Sequence, residues 1–118
     1  MRIALLALSS LAILACSNDS TGNVPPPSSD VEIVSGASAK GPLAFDPDPF
    51  TISLSAQSTV KWANLDNVNH TIAADDGSFS SGNIVPNSTF SHMYIATGTY
   101  PYHCAIHPTM VGTITVNP

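Results

Sequence analysis

Charge is scarce in this sequence. Asp, Glu, Lys and Arg make up 9% of its 118 residues, and Lys and Arg number 3 against 8 acids, for a formal charge of −5. No basic stripe exists to neutralise phosphates, which excludes nucleic acid as a partner. Long hydrophobic runs are scarce too. The single one, Ile3 to Ala15, is about a dozen residues long and falls short of the roughly 20 that a spanning helix needs. No stretch carries a helical period of useful length, no internal repeat is present, and the chain length is that of one domain. Cysteine is limited to Cys16 and Cys104.

Met1-Arg2 gives the apolar run a short basic start, and the run closes on Ile13-Leu14-Ala15-Cys16. This arrangement resembles the lipobox of bacterial lipoprotein signal peptides, in which cleavage leaves an N-terminal Cys carrying diacylglycerol. An ordinary secretory signal cleaved nearby is the other reading, and both make the segment an export signal. The resemblance implies a signal peptide over residues 1–15 and membrane attachment through lipid on Cys16, for which two acyl chains suffice. Residues 16–29 are mostly small and polar around three consecutive prolines, Pro25 to Pro27, the composition of a flexible, partly polyproline tether. Loss of Arg2 leaves Lys40 and Lys61 as the only Lys or Arg of an acidic, extracytoplasmic domain over residues 30–118.

That domain reads as all-β. Apolar residues alternate over 31–34, 50–54, 60–65, 70–74, 90–95, 99–103 and 112–116, with the Thr, Val, Ile, Phe and Tyr content of strands. The breaks hold turn chemistry: Gly41-Pro42, Asp46-Pro47-Asp48-Pro49, Asp76-Gly77, Pro86-Asn87 and Thr97-Gly98. Strands this short and this regularly spaced predict a Greek-key β-sandwich of seven or eight strands.

With Cys16 assigned to lipid, Cys104 has no partner. In an oxidising compartment a lone thiol is buried and inert, reactive, or bound to a metal. Its neighbours favour the metal, because His107 follows three residues later and Met110 three after that, so that thiolate, imidazole and thioether line one loop. Copper that alternates between Cu(I) and Cu(II) suits two His, one Cys and a distant axial Met. His70 is the best placed second imidazole: it follows strand 60–65 and the turn Asp66-Asn67-Val68-Asn69, where adjacent strand ends would set it beside the Cys104 loop. The ordinary alternatives are a buried structural thiol, a core methionine and a turn histidine. His103 alternates away from Cys104 and reads as a non-ligand, and His92, in phase with Phe90 and Tyr94, reads as a hydrogen-bonded, partly buried ring.

The stretch Tyr102-His103-Cys104-Ala105-Ile106-His107-Pro108-Thr109-Met110 resembles the C-terminal ligand loop of blue-copper cupredoxins of the plastocyanin and amicyanin type. Val60 to Asp66 together with His70-Thr71 is similar to that family's first-ligand region, and the resemblance spans roughly residues 50–116. It implies one type 1 copper per chain, ligated by His70, Cys104, His107 and Met110. It further implies one-electron transfer, without catalysis on a substrate, by a membrane-tethered monomer that meets redox partner proteins in the periplasm or on the outer cell surface. The alternative is an envelope protein for copper storage or delivery, which needs an exchangeable Met- or His-rich site; only Met93 and Met110 remain after the signal. A multicopper oxidase needs a His on each side of the Cys, and Ala105 follows Cys104, while structural zinc wants a fourth strong ligand rather than a thioether. By the same resemblance the thiolate accepts the Thr71 N–H. Ile106, standing where many relatives carry Pro, adds a second candidate donor. The His107 ring edge is the expected electron port, with Asp66, Asp75 and Asp76 able to steer a basic partner.

Overall fold

The computed structural model describes residues 25–118. The signal peptide over 1–15, Cys16 and the start of the tether lie outside the described residues; residues 25–29 are irregular. Eight strands follow: β1 (Val31–Ile33), β2 (Phe45–Asp46), β3 (Phe50–Ser53), β4 (Thr59–Asn64), β5 (Ala73–Ala74), β6 (Thr89–Met93), β7 (Gly98–His103) and β8 (Val111–Asn117). Two single-turn 3-10 helices, Ala37–Ala39 and Gly41–Leu43, lie between β1 and β2. Among the described residues no helix is long and apolar enough to cross a membrane.

Alternation sorts the strands into layers. In β8, Gly112, Ile114 and Val116 point inward while Thr113 and Thr115 are half-buried on the other face, and β4 sends Val60 and Trp62 into the same core. One sheet has the order β2-β1-β4-β6 and the other β3-β8-β7-β5; β1 with β4 and β3 with β8 are parallel, and the remaining pairs antiparallel. From β2 to β7 the chain changes sheet at each connection, which makes the two layers one sandwich rather than two hairpin stacks. Trp62 of one sheet meets Tyr102 of the other edge-to-face, ring centroids 5.5 Å apart, and Phe45 meets the same tyrosine at 4.8 Å. Gly112 stands opposite Tyr102 in the β7–β8 ladder, and a Cβ there would lie 2.6 Å from the ring, so the core tyrosine requires a residue without a side chain across from it.

Two differences from the sequence expectation bear on the site. The expected strand over 70–74 is mostly not a strand: only Ala73–Ala74 pairs with β7, and His70 forms an isolated bridge with Ile84. The backbone of 70–72 instead binds residues 81–84, through His70 N–H to the Ile84 carbonyl, Ile84 N–H to the His70 carbonyl, Ile72 N–H to Ser81 Oγ and Ser81 N–H to the Ile72 carbonyl. The two-residue β2 is too short to show a period and has no counterpart in the sequence reading.

Candidate metal centre

The end of β4 and the end of β7 meet at one pole of the sandwich. β4 stops at Asn64, and its buried amide donates to the carbonyls of Val68 and Ile84, both at 2.8 Å, which folds the following turn back over the strand end. That turn delivers His70, fully buried. β7 ends at His103, and the loop after it starts with Cys104, also fully buried. Cys104 N–H donates to the Met110 carbonyl at 3.0 Å and Met110 N–H to the His107 carbonyl at 2.9 Å, so the loop is closed by its own backbone before β8 begins.

His70, Cys104 and His107 come together. Cys104 Sγ lies 3.8 Å from His70 Nδ1 and 3.9 Å from His107 Nδ1, and the three ligand atoms fall within 4.8 Å of one another. An ion about 2.0–2.1 Å from nitrogen and 2.3 Å from sulfur in a trigonal plane separates a nitrogen from the sulfur by about 3.8 Å, and both Cys104–His distances match that spacing. Met110 is buried and fixed to both Cys104 and His107 by the backbone bonds above. His107 is half-buried, between exposed Ile106 and Pro108.

Burial pushes the Cys104 thiol up, but the Thr71 N–H at 3.3 Å and the other polar groups that face the sulfur pull it down further, to about 6. This surrounding favours the thiolate, the form that binds metal. Thr71 acts twice: its hydroxyl lies 3.8 Å from Sγ and accepts the Ala105 N–H at 2.7 Å, tying the first-ligand segment to the ligand loop. Ile106 N–H is not among the donors to the sulfur; the backbone hydrogen bond that the sulfur accepts comes from Thr71.

Asp66 differs most from its expected role. Burial alone would raise its carboxyl, yet hydrogen bonds from the His70 ring and from the N–H groups of Gly36 and Asn67 hold it at about 2. It is 6% exposed, so it does not steer partners as the sequence reading expected; Asp75 and Asp76 are the surface acids at that position in the chain. His103 points out of the sandwich to Asp75, Nδ1 to Oδ1 2.6 Å, away from the thiolate. The His92 ring lies flat on Phe79, centroids 3.7 Å apart, so stacking places it where a hydrogen bond was expected. Asn64, Asp66 and the Thr71 hydroxyl are the site residues that sequence reasoning missed. The only signal for them was a carboxylate four residues before the candidate histidine and a hydroxyl directly after it.

Residues 4–116 match the sequence profile of the cupredoxin-like domain. A plastocyanin from Scenedesmus fuscus is 34% identical over 100 residues, covering 74% of this chain and 99% of that protein. A purple cupredoxin from Nitrosopumilus maritimus is 28% identical and superposes with a TM-score of 0.67 over 76% of this chain and all of the other. The copper-containing nitrite reductase of Thermus scotoductus shares the fold, with a TM-score of 0.61 at 23% identity over 80% of this chain, but only 23% of the enzyme is covered.

Proposed function

We propose, for a chain that belongs to the cupredoxin-like domain family, one-electron transfer at a mononuclear type 1 copper site ligated by His70, Cys104, His107 and Met110. The observation that carries the reading is the triangle of two Nδ1 atoms and the buried Cys104 sulfur, which accepts the Thr71 N–H. Bound copper supplies the one-electron couple. The chain supplies the rest. His70 and Cys104 are buried and hydrogen-bonded at a rigid sandwich end, so the donors keep their places whatever charge the site carries. The Thr71 N–H stabilises negative charge on the sulfur.

His107 is the exit for the electron, since it is the one imidazole of the set with exposed surface, and the residues around it are apolar: Ile106 is 47% exposed and Pro108 is open to solvent. Desolvating such a patch costs a docking partner little. The exposed Asp75 and Asp76 favour cationic redox partners. This is a carrier rather than an enzyme, since likeness to part of a nitrite reductase is a likeness of fold alone. The lipobox-like run that ends at Cys16 and the proline-rich stretch after it support a location outside the cytoplasm, with the domain held at a membrane surface by lipid. Titration of the copper-loaded protein with a mild reductant tests the function. An electron carrier bleaches reversibly and keeps its copper through repeated cycles; loss of copper on reduction would instead identify a protein of copper delivery.

A further inference from the structure

We infer that Asp66 is a positioning residue for His70 and that its buried negative charge holds the reduction potential of the site down, an inference that rests on the copper reading above. His70 has two ring nitrogens with different tasks. Nδ1 faces Cys104 Sγ at 3.8 Å, and a ligand nitrogen must present a lone pair there, which puts the proton on Nε2. Nε2 lies 2.8 Å from Asp66 Oδ2 and donates to it. The other carboxylate oxygen, Oδ1, accepts the N–H of Gly36 at 2.9 Å and the N–H of Asn67 at 2.9 Å. Asp66 N–H in turn donates to Asn64 Oδ1 at 3.0 Å. The carboxylate is therefore fixed at both oxygens and fixes the ring, and its anchors come from three separate places: the end of β4, the turn before His70, and Gly36 across the sandwich end.

A backbone carbonyl would orient an imidazole equally well. A carboxylate adds a full charge. Held in a dry interior on the far edge of the ring, that charge favours the more positive oxidation state, opposing the Thr71 N–H, which favours the reduced one. Asp66→Asn removes the charge and keeps the size of the side chain, while its single carbonyl oxygen can serve either the His70 Nε2–H or the backbone N–H groups, not both. Partners of this kind are worth about 10–100-fold in metal affinity. If the loss falls on Cu(II) with Cu(I) unchanged, the potential of Asp66→Asn rises by about 59 mV for each tenfold.

The experiment is redox potentiometry of the copper-loaded wild type, Asp66→Asn and Asp76→Asn, each checked for a blue band and one copper per chain. The expected result is a raised potential in Asp66→Asn alone, with the band retained; Asp76→Asn makes the same change in formal charge on an exposed residue. An unchanged potential in blue Asp66→Asn overturns the inference and leaves the copper site standing, as does an equal rise in both variants. A wild type with no blue band overturns the copper reading and this inference together. Should Asp66→Asn not fold, the wild-type Cu(I) form decides: NMR should show the His70 Nε2–H as a downfield resonance protected from solvent exchange, and a rapidly exchanging proton refutes the bond.

Discussion

The hydroxyl of Thr71 holds together two segments 34 residues apart in sequence, and its removal has a calculable consequence. Thr71→Val keeps the β-branched shape and deletes the acceptor of the Ala105 N–H, a bond of 2.7 Å, along with the weaker 3.8 Å contact from Oγ1 to Cys104 Sγ. An amide left buried without a partner costs about 1–3 kcal/mol, whereas an ordinary hydrogen bond exchanged for water costs about 0.5–1.5 kcal/mol. Ala105 is exposed, so water reaches its amide once the loop relaxes, and the second range applies. About 1 kcal/mol lowers the melting temperature of a domain of this size by about 4–8 °C. Thermal unfolding of the metal-free protein measures this without a contribution from copper affinity, and Thr71→Ser, which keeps the hydroxyl, should recover most of the loss. In the loaded protein Thr71→Val should also show a slightly lower potential, because the thiolate loses one donor and retains the Thr71 N–H. A metal-free Thr71→Val as stable as the wild type would refute the reasoning.

Three further expectations follow from the same geometry. Gly112→Ala places a Cβ 2.6 Å from the Tyr102 ring, an overpacking that should cost about 1–3 kcal/mol in chemical denaturation. Burial pushes the Tyr94 and Tyr102 phenols above their ordinary value, so the unfolded chain releases those protons first and stability is lost as the pH climbs past 10; Tyr102→Phe should flatten that decline in denaturation curves at alkaline pH. Ile106→Pro should leave the potential and the blue spectrum unchanged, because the amide it removes does not reach the sulfur; a clear fall in potential would show that it does.

Most strand positions and the pairing of Cys104 with His107 were legible because each depends on local spacing. β4, β7 and β8 announce themselves by alternation, and Cys104, His107 and Met110 share one loop whose spacing is the signal. His70 needed more, namely a turn after a strand and the likeness to a known ligand region. Asp66 was misread for a physical reason: in sequence an Asp before Asn is turn chemistry on a solvated loop, and only the third dimension shows Gly36 and Asn64 closing over it. The short β5 has a similar cause. Residues 70–72 alternate like a strand, but their backbone partners are residues 81–84, which no local pattern reveals. Ile106 carries an available N–H, and the direction of that N–H is set by the closure of the loop through Cys104, His107 and Met110.

The central claim is that Cys104 is the sulfur ligand of a type 1 copper formed with His70, His107 and Met110, and the visible spectrum tests it most directly. Purified protein with one equivalent of Cu(II) should turn intensely blue from thiolate-to-copper charge transfer, and Cys104→Ser, with the other three residues intact, should be colourless. An intense band that survives in Cys104→Ser, or its absence from the wild type, would contradict the assignment.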